Sequence, residues 1–158
     1  MTETGRGVAG RGDAGRGDAG RGDARYVLRP VGRVESPLTD PSLAPCQGDE
    51  GAPDAWLVLD PDMAAAITGL EEGTEVIVLT WLDRASRDVY QVHPRGDHSR
   101  PLQGVFNTRS PDRPNPIGLH TVLITGIRGT RIGVRNLEAI DGTPVLDIKP
   151  VLGAVSQR

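Results

Sequence analysis

The chain has 158 residues and a formal net charge of −3, with 37% hydrophobic and 25% charged residues. This size and composition suit one soluble domain, and the weak negative charge does not indicate a dedicated nucleic-acid-binding protein. No segment approaches the roughly 20 apolar residues that span a bilayer, and no signal-peptide core is found, so we expect no membrane association. The single cysteine, Cys46, cannot form an internal disulfide, which favours a reducing cytoplasm.

The first part of the chain is a repeat. Residues 5–24 consist of four five-residue units built from Gly, Arg, Asp, Val and Ala. Such a period cannot bury an apolar face, so residues 1–24 are predicted to be a disordered tail. The Arg-Gly-Asp triplets in it are interpreted as products of repeat expansion rather than as adhesion motifs. The folded domain is therefore expected over residues 25–158.

After the tail, the sequence predicts short β-strands separated by turns. Residues 26–34 are rich in β-branched side chains and predict a strand that is interrupted at Pro30. A proline-rich loop is expected over 36–54, followed by a short buried strand over 55–59. The longest apolar run, 74–82, predicts a strand that is covered on both faces.

One short helix is predicted between the second and third strands. Asp60 is a suitable N-cap, Pro61 suits the first helical position, and a run of helix formers extends to Ile67. Gly69 then provides the stop signal.

The last third of the domain predicts two more turns and three strands. Residues 117–127 and 130–137 indicate a hairpin, and Asp141-Gly142 indicates a turn before a strand over 144–149. Several short strands, one helix and frequent turns are typical of a mostly β, single-domain protein. We expect an antiparallel β-barrel or barrel-like sheet.

The segment 104–118 is the strongest candidate for a ligand-binding loop. Three prolines between residues 111 and 116 fix the backbone and remove hydrogen-bond donors, so this part cannot join the interior of a sheet. Its polar side chains include those of Arg109, Ser110, Arg113 and Asn115. Two guanidinium groups with a hydroxyl and an amide suit a carboxylate, a phosphate or a purine edge. A solvated, proline-rich surface connection is an equally weighted alternative.

The region 83–113 is locally basic on an acidic chain. It holds six arginines against four aspartates, for a local charge of +2. This distribution suits an anionic ligand, although ordinary mixed surface charge explains it equally well. His93 and His98 with Asp97 lack a further His or Cys partner, so no metal site is predicted.

Two segments in this order resemble the TsaA/TrmO family of S-adenosylmethionine-dependent tRNA methyltransferases. They are Gly104-Val-Phe-Asn-Thr-Arg-Ser-Pro-Asp-Arg-Pro-Asn-Pro-Ile-Gly118 and Asp141-Gly-Thr-Pro-Val-Leu-Asp-Ile-Lys-Pro150. Val31-Gly-Arg-Val-Glu-Ser-Pro37 is similar to the family's first strand and its Ser-Pro turn. Val76-Ile-Val-Leu-Thr-Trp-Leu82 is similar to an apolar strand that ends in aromatic residues. The resemblance covers about residues 26–152.

The resemblance implies a β-barrel methyltransferase that works as a homodimer, with S-adenosylmethionine near the subunit interface and tRNA as its partner. The implied reaction is methylation of N6 of threonylcarbamoyladenosine next to the anticodon. Carried over by position, the cofactor-binding residues are Arg109, Ser110, Arg113, Asn115, Ile117 and Asp141. Asp147 is implied as the catalytic base by its place in the second segment. The residues expected to contact the substrate are Lys149, Arg84, Arg87 and Arg95.

The chain departs from the family pattern in two places. Glu35 stands where relatives often have an arginine before the Ser-Pro turn. The chain also stops soon after Pro150, so we expect it to lack the C-terminal domain of longer relatives, which could contribute to RNA recognition. Two alternatives stay open: a methyltransferase of the same fold that acts on a small molecule or another RNA, and a non-catalytic module that binds S-adenosylmethionine or RNA.

Overall fold

The computed structural model describes residues 26–45 and 48–152, and its centre is a closed antiparallel barrel of six strands. The barrel strands are β1 (Gly32–Glu35), β2 (Ala55–Leu59), β3 (Glu75–Trp81), β6 (Ile117–Arg128), β7 (Arg131–Arg135) and β8 (Pro144–Pro150). They are ordered β1-β2-β7-β6-β3-β8, and pairing of β8 with β1 closes the ring. The predicted mostly β, barrel-like fold is confirmed. The predicted disordered tail, residues 1–24, lies outside the described residues, as does Cys46.

Most strand positions agree with the sequence prediction, because alternating apolar residues and turn signals mark them. Strand β2 has the predicted bounds, and β6 and β7 form the predicted hairpin. Its turn contains Gly129 at φ 61°, a left-handed conformation that favours glycine. Strand β1 is shorter than predicted: it begins at Gly32, since Pro30 interrupts the run before it.

The predicted helix is much shorter than expected. A 3-10 helix covers only Pro61–Met63, and turns continue to Gly69. Asp60 has the extended backbone of an N-cap, but its side chain makes no capping hydrogen bond. Helices this short are marginal without packing, which here is limited to Met63 and Ile67 against the core.

The described residues contain 3-10 helices but no α-helix. None of their helices is long and apolar enough to cross a membrane. The 3-10 helices are Pro41–Leu43, Gly48–Glu50, Pro61–Met63, Pro94–Gly96 and Val105–Asn107. A two-stranded pair, β4 (Gln91–Val92) with β5 (Gln103–Gly104), brackets the polar residues that follow β3 and was not predicted from the sequence.

The interior of the barrel changes from apolar to polar along β3 and β6. Three buried positions of each strand oppose one another in the order Val76–Val122, Val78–His120 and Thr80–Gly118. Leu57, Ile132 and Val145 complete a core without aromatic residues, as the low aromatic content requires. One end of the barrel therefore carries buried polar side chains, an expensive arrangement unless they are paired.

The outer face of the same two strands is apolar but only partly covered. Ile117 and Leu119 on β6 are 44% and 46% exposed, and they pair with Trp81 and Leu79 on β3. The sequence predicts that β3 is covered on both faces, whereas in the single chain its outer residues are only half buried.

Candidate functional site

A cleft of about 810 Å³ opens at the polar end of the barrel. We call it the barrel cleft, and it lies between the segment 104–118 and the connection from β7 to β8. Leu79 and Leu119 contribute apolar surface, and His120, Glu138 and Thr143 contribute polar groups. The candidate loop found in the sequence therefore forms one wall of a cavity large enough for a small-molecule ligand.

Arg113 holds the segment 104–118 in shape from within. Its guanidinium donates hydrogen bonds to the carbonyl oxygens of Ser110 at 2.8 Å, Val105 at 3.0 Å and Thr108 at 2.6 Å. Hydrogen bonds from a charged donor are among the stronger ones in proteins. The stiffness predicted from the prolines thus has a second source. Because the Arg113 guanidinium binds backbone carbonyls, these N–H groups are not available to a ligand.

Arg109 and Phe106 are presented outward by the same segment. Arg109 is exposed and forms no ion pair within the described residues, and Phe106 is 86% exposed. Both side chains line the barrel cleft and also a second cavity on the other side of the segment. This position makes Arg109 the guanidinium of the loop that is available to an anionic group.

The sequence-predicted cofactor residues are partly brought together. The barrel cleft is lined by Arg109, Ser110, Arg113 and Ile117, and also by Arg84 from the predicted substrate set. Asn115 is exposed outside that lining, and its carbonyl accepts a hydrogen bond from the Ile117 N–H at 2.8 Å.

Asp141 also lies outside the cleft lining, and its contacts join two of the family-like segments. Its carboxylate accepts a hydrogen bond from the Ser36 N–H at 3.0 Å, and its own N–H donates to the Leu38 carbonyl at 2.6 Å. These bonds tie the Ser-Pro turn after β1 to the turn before β8. In the single chain Asp141 therefore organises backbone rather than facing the cavity.

Asp147 and Lys149 lie on β8, one strand away from the barrel cleft. Lys149 Nζ is 2.7 Å from Asp147 Oδ2, and Asp147 Oδ1 accepts a hydrogen bond from the Ile148 N–H at 2.9 Å. Asp147 pairs with Leu79, whose side chain does line the cleft. The pair thus stands beside the cavity, next to the partly covered outer face of the barrel.

Arg87 and Arg95, the other predicted substrate residues, are engaged elsewhere. The Arg87 guanidinium lies 4.8 Å from the ring centroid of Trp81, and Arg95 forms an ion pair with Glu50 at 3.0 Å. Arg95 lines the second cavity, of about 900 Å³, which we call the loop cleft.

The loop cleft mixes both signs of charge, because Arg95, Arg100, Arg109 and Asp112 line it, and Asp97 lies just outside this lining. Asp97 forms an ion pair with Arg100 at 3.4 Å, and hydrogen bonds from Ser99, assisted by the charge of His93, lower the pKa of the Asp97 carboxyl. His93 Nδ1 lies 2.7 Å from the Arg100 carbonyl oxygen, and its ring packs against that of His98. Within residues 26–45 and 48–152, no group of three or more His, Cys, Asp or Glu side chains is arranged to hold a metal ion.

Three residues of the site were not identified from the sequence: Thr80, His120 and Glu138. His120 is 5% exposed, and its Nε2 is 2.8 Å from Thr80 Oγ1. Its Nδ1 lies 2.8 Å from Glu138 Oε1, yet the carboxylate is out of line with the ring N–H, so Nδ1 has no aligned hydrogen-bond partner among the described residues. The sequence did offer one signal for this group: His120 stands at an inward-facing position of β6, where the neighbouring inward-facing residues are small or apolar.

Gly118 makes room for this polar group. A Cβ atom at position 118 would collide with Thr80 Oγ1 and His120 Nε2. The glycine that ends the 104–118 segment is therefore required by close approach of side chains, because its backbone is an ordinary strand conformation.

Comparison with known proteins gives a consistent match over most of the chain. Residues 33–156 match the family model of the tRNA-methyltransferase O N-terminal domain. The chain is 45% identical over 123 residues to a probable S-adenosyl-L-methionine-binding protein of Methanothermobacter thermautotrophicus, covering 78% of this chain and 88% of that protein. It is 41% identical over 134 residues to an S-adenosyl-L-methionine-binding protein of Archaeoglobus fulgidus, covering 83% and 95%.

Solved structures match the same fold. A crystal structure of TrmO superposes with a TM-score of 0.68 at 30% identity, covering 85% of this chain and 62% of that one. A crystal structure of TrmO from Pseudomonas aeruginosa gives a TM-score of 0.67 at 29% identity, covering 85% and 61%. The chain thus spans less than two thirds of the length of these solved chains.

Proposed function

Because the chain belongs to the family of the tRNA-methyltransferase O N-terminal domain, we propose that it is an S-adenosylmethionine-dependent methyltransferase that acts on tRNA. The observation that carries this proposal is that the matched region, 33–156, includes both walls of the barrel cleft. Two relatives that are named S-adenosyl-L-methionine-binding proteins support the choice of cofactor.

The barrel cleft fits the chemistry of that cofactor. Its volume of about 810 Å³ lies within the usual range for ligand sites. Arg109 would offer its exposed guanidinium to the amino-acid carboxylate, while Ile117 and Leu119 would offer apolar surface to the adenosine. When bound, S-adenosylmethionine supplies an electrophilic methyl group on a sulfonium sulfur. Ser110 and the Arg113-braced loop hold the ligand in one orientation, which lowers the barrier to transfer.

The proposed acceptor is N6 of threonylcarbamoyladenosine beside the anticodon. That nitrogen carries a hydrogen and an adjacent carbonyl group, so it is a weak nucleophile that benefits from proton removal. Arg84, Arg87, Arg95 and Lys149 are the proposed tRNA contacts. Asp147 remains the base implied by family position, while Asn115 and Asp141 remain implied cofactor residues.

A homodimer would give a role to Asp147 and Lys149, which lie outside the barrel cleft of the single chain. The outer face of β3 and β6 exposes Ile117 and Leu119, which continue the apolar lining of the barrel cleft. A second copy seated there would cover this row and close the open side of the cleft. Asp147 and Lys149 lie beside that face, so they would stand at the subunit interface.

The test uses the purified chain with S-adenosylmethionine and tRNA that carries threonylcarbamoyladenosine. We expect release of S-adenosylhomocysteine, and mass spectrometry of the digested tRNA should show one added methyl group on that nucleoside. The same assay with unmodified tRNA is the control for acceptor identity.

A non-catalytic cofactor-binding module is the second candidate, because the two relatives are named for binding rather than for transfer. Saturable binding of S-adenosylmethionine by calorimetry, without release of S-adenosylhomocysteine in the presence of any tRNA, would favour it over the methyltransferase.

A further inference from the structure

The side chains of Thr80, His120 and Glu138 form a chain of polar contacts from the barrel interior to the barrel cleft. Thr80 is fully buried, His120 is almost fully buried, and the Glu138 side chain is 22% exposed. The two contacts in this chain are both 2.8 Å long. Since Thr80 has a hydroxyl to donate, His120 Nε2 can accept its hydrogen bond, which leaves the ring proton on Nδ1 facing Glu138.

This arrangement is poorly explained by stability alone. Buried polar atoms in native proteins nearly always have a well-aligned partner, and exceptions often mark functional groups. His120 Nδ1 is the buried side-chain atom of the described residues that lacks one, although a carboxylate oxygen lies at hydrogen-bond distance. A small movement of the Glu138 carboxylate would align the bond, so His120 can hold that carboxylate in place at the edge of the barrel cleft.

Glu138 differs from the other carboxylates of the cleft. Asp112 accepts a hydrogen bond from the Ser86 N–H at 2.8 Å, and Asp83 is an exposed residue just beyond β3. Glu138 alone among them contacts a buried titratable side chain, and only a glycine at position 48 leaves room for its Oε2 atom. The charged groups that line the cleft with it are Asp83, Arg84, Arg109, Asp112 and Arg113, and the imidazole of His120 also lines it.

We propose that Glu138 is the catalytic proton acceptor of methyl transfer and that His120, held by Thr80, is its positioning residue. This inference rests on the proposed function and names Glu138 in place of Asp147 as the base. The acceptor nitrogen gives its lone pair to the methyl carbon, and the carbon–sulfur bond breaks with its electron pair passing to sulfur. The hydrogen on the nitrogen passes as a proton to the Glu138 carboxylate, so the methylated base leaves neutral.

The first experiment compares kcat for the wild-type chain and for Glu138→Gln, which keeps the shape of the side chain but is a far weaker base. We expect kcat to fall by about 10²- to 10⁴-fold, the usual contribution of a general base, while the affinity for S-adenosylmethionine by calorimetry changes far less. Glu138→Asp should restore part of the activity. Glu72→Gln, on an exposed turn, is the matched control for loss of one carboxylate.

Two further readouts separate a base from a merely structural ion pair. In His120→Asn, kcat should fall while the KM for S-adenosylmethionine changes little, because the Glu138 carboxylate loses the side chain that positions it. Histidine ¹H–¹⁵N NMR of the ligand-free protein, which has only three histidines, should show a His120 Nδ1–H signal whose position changes in Glu138→Gln.

The outcomes are distinct. Transfer by Glu138→Gln at the wild-type rate would overturn this inference and leave the proposed function standing. Absence of the Nδ1–H signal from the wild-type protein would also overturn the role of His120. If the wild-type chain binds S-adenosylmethionine but transfers no methyl group, the proposed function fails, and the role of Glu138 in transfer fails with it.

Discussion

A methyl group at position 118 would compete for the space in which Thr80 and His120 meet. We therefore expect Gly118→Ala to lower the free energy of unfolding by about 1–3 kcal/mol, as overpacking of a filled core usually does. Gly126→Ala on the same strand is the matched control, because its Cβ would meet no atom within 4 Å. Urea denaturation of both variants measures the difference. Equal stability would show that the Thr80–His120 pair moves aside without cost.

Alanine variants of Arg109 and Arg113 should differ in their effects on stability and on cofactor binding. Arg113→Ala removes three hydrogen bonds to backbone carbonyls, so we expect it to cost about 2 kcal/mol of stability as well as cofactor affinity. Arg109→Ala removes an exposed side chain with no ion pair within the described residues, so affinity should fall while stability stays within about 0.5 kcal/mol. Chemical denaturation and calorimetry measure the two quantities. A stability loss in Arg109→Ala would contradict this assignment.

Single residues show where sequence reasoning stops. Arg109 and Arg113 look equivalent in the sequence, because only the folded path of the loop brings the carbonyls of residues 105, 108 and 110 around position 113. Asp147 stands in a family-like motif, yet its direction depends on a register shift of β8 at Leu79/Thr80 that no local pattern reveals. Thr80 and His120 are 40 positions apart and meet because β3 pairs with β6, while Glu138, 18 positions beyond His120, reaches it from the connection between β7 and β8.

Strands β3 and β6 make a prediction at the scale of elements. Leu119→Arg places a charge in the middle of their apolar outer face, and we expect it to convert a homodimer into monomers. Sedimentation measurements across micromolar concentrations test this. Leu43→Arg, an exposed leucine in the Pro41–Leu43 3-10 helix, is the control. A wild-type chain that is monomeric throughout, or a Leu119→Arg variant that still dimerises, would contradict the proposed interface.

The elements themselves were predictable to the extent that local chemistry specifies them. Strands β2, β3 and β6 follow apolar or β-branched runs between clear turn signals, so their bounds agree within a residue or two. The prediction of a longer helix after Asp60 was wrong. Capping signals mark where a helix begins, but they cannot supply the length that makes a helix stable. The pair β4 and β5 was missed because a strand of two residues carries no periodicity.

The whole molecule carries a net charge of −3, so attraction of RNA depends on which of its locally clustered arginines are not already bound to other groups of the protein. Among the arginines of region 83–113, Arg95 and Arg100 are ion-paired, and the Arg113 guanidinium is bound to backbone carbonyls. The Arg87 guanidinium lies against the ring of Trp81. Arg84 and Arg109 remain available at the barrel cleft within the described residues. The sequence suggested a broad basic surface, whereas the folded chain concentrates its available charge at two positions.

This concentration predicts a weak dependence of tRNA affinity on salt. Of the proposed tRNA contacts, Arg95 and Lys149 are ion-paired and Arg87 lies against Trp81. Arg84, together with Arg109 in the absence of S-adenosylmethionine, therefore gives two phosphate contacts in a single-stranded loop. The expected slope is about −1.4 in a plot of log K against log salt concentration, at roughly −0.7 per phosphate. Fluorescence anisotropy with an anticodon stem-loop measures the slope for the wild-type chain, for Arg84→Ala/Arg109→Ala and for Arg29→Ala as the control. Arg29 is exposed and paired with Asp62 outside the lining of both clefts, so its removal should leave the slope unchanged. The double variant should bring the slope close to zero. A wild-type slope near −4 would mean instead that the paired arginines exchange their protein partners for phosphates, and that region 83–113 binds RNA as one surface.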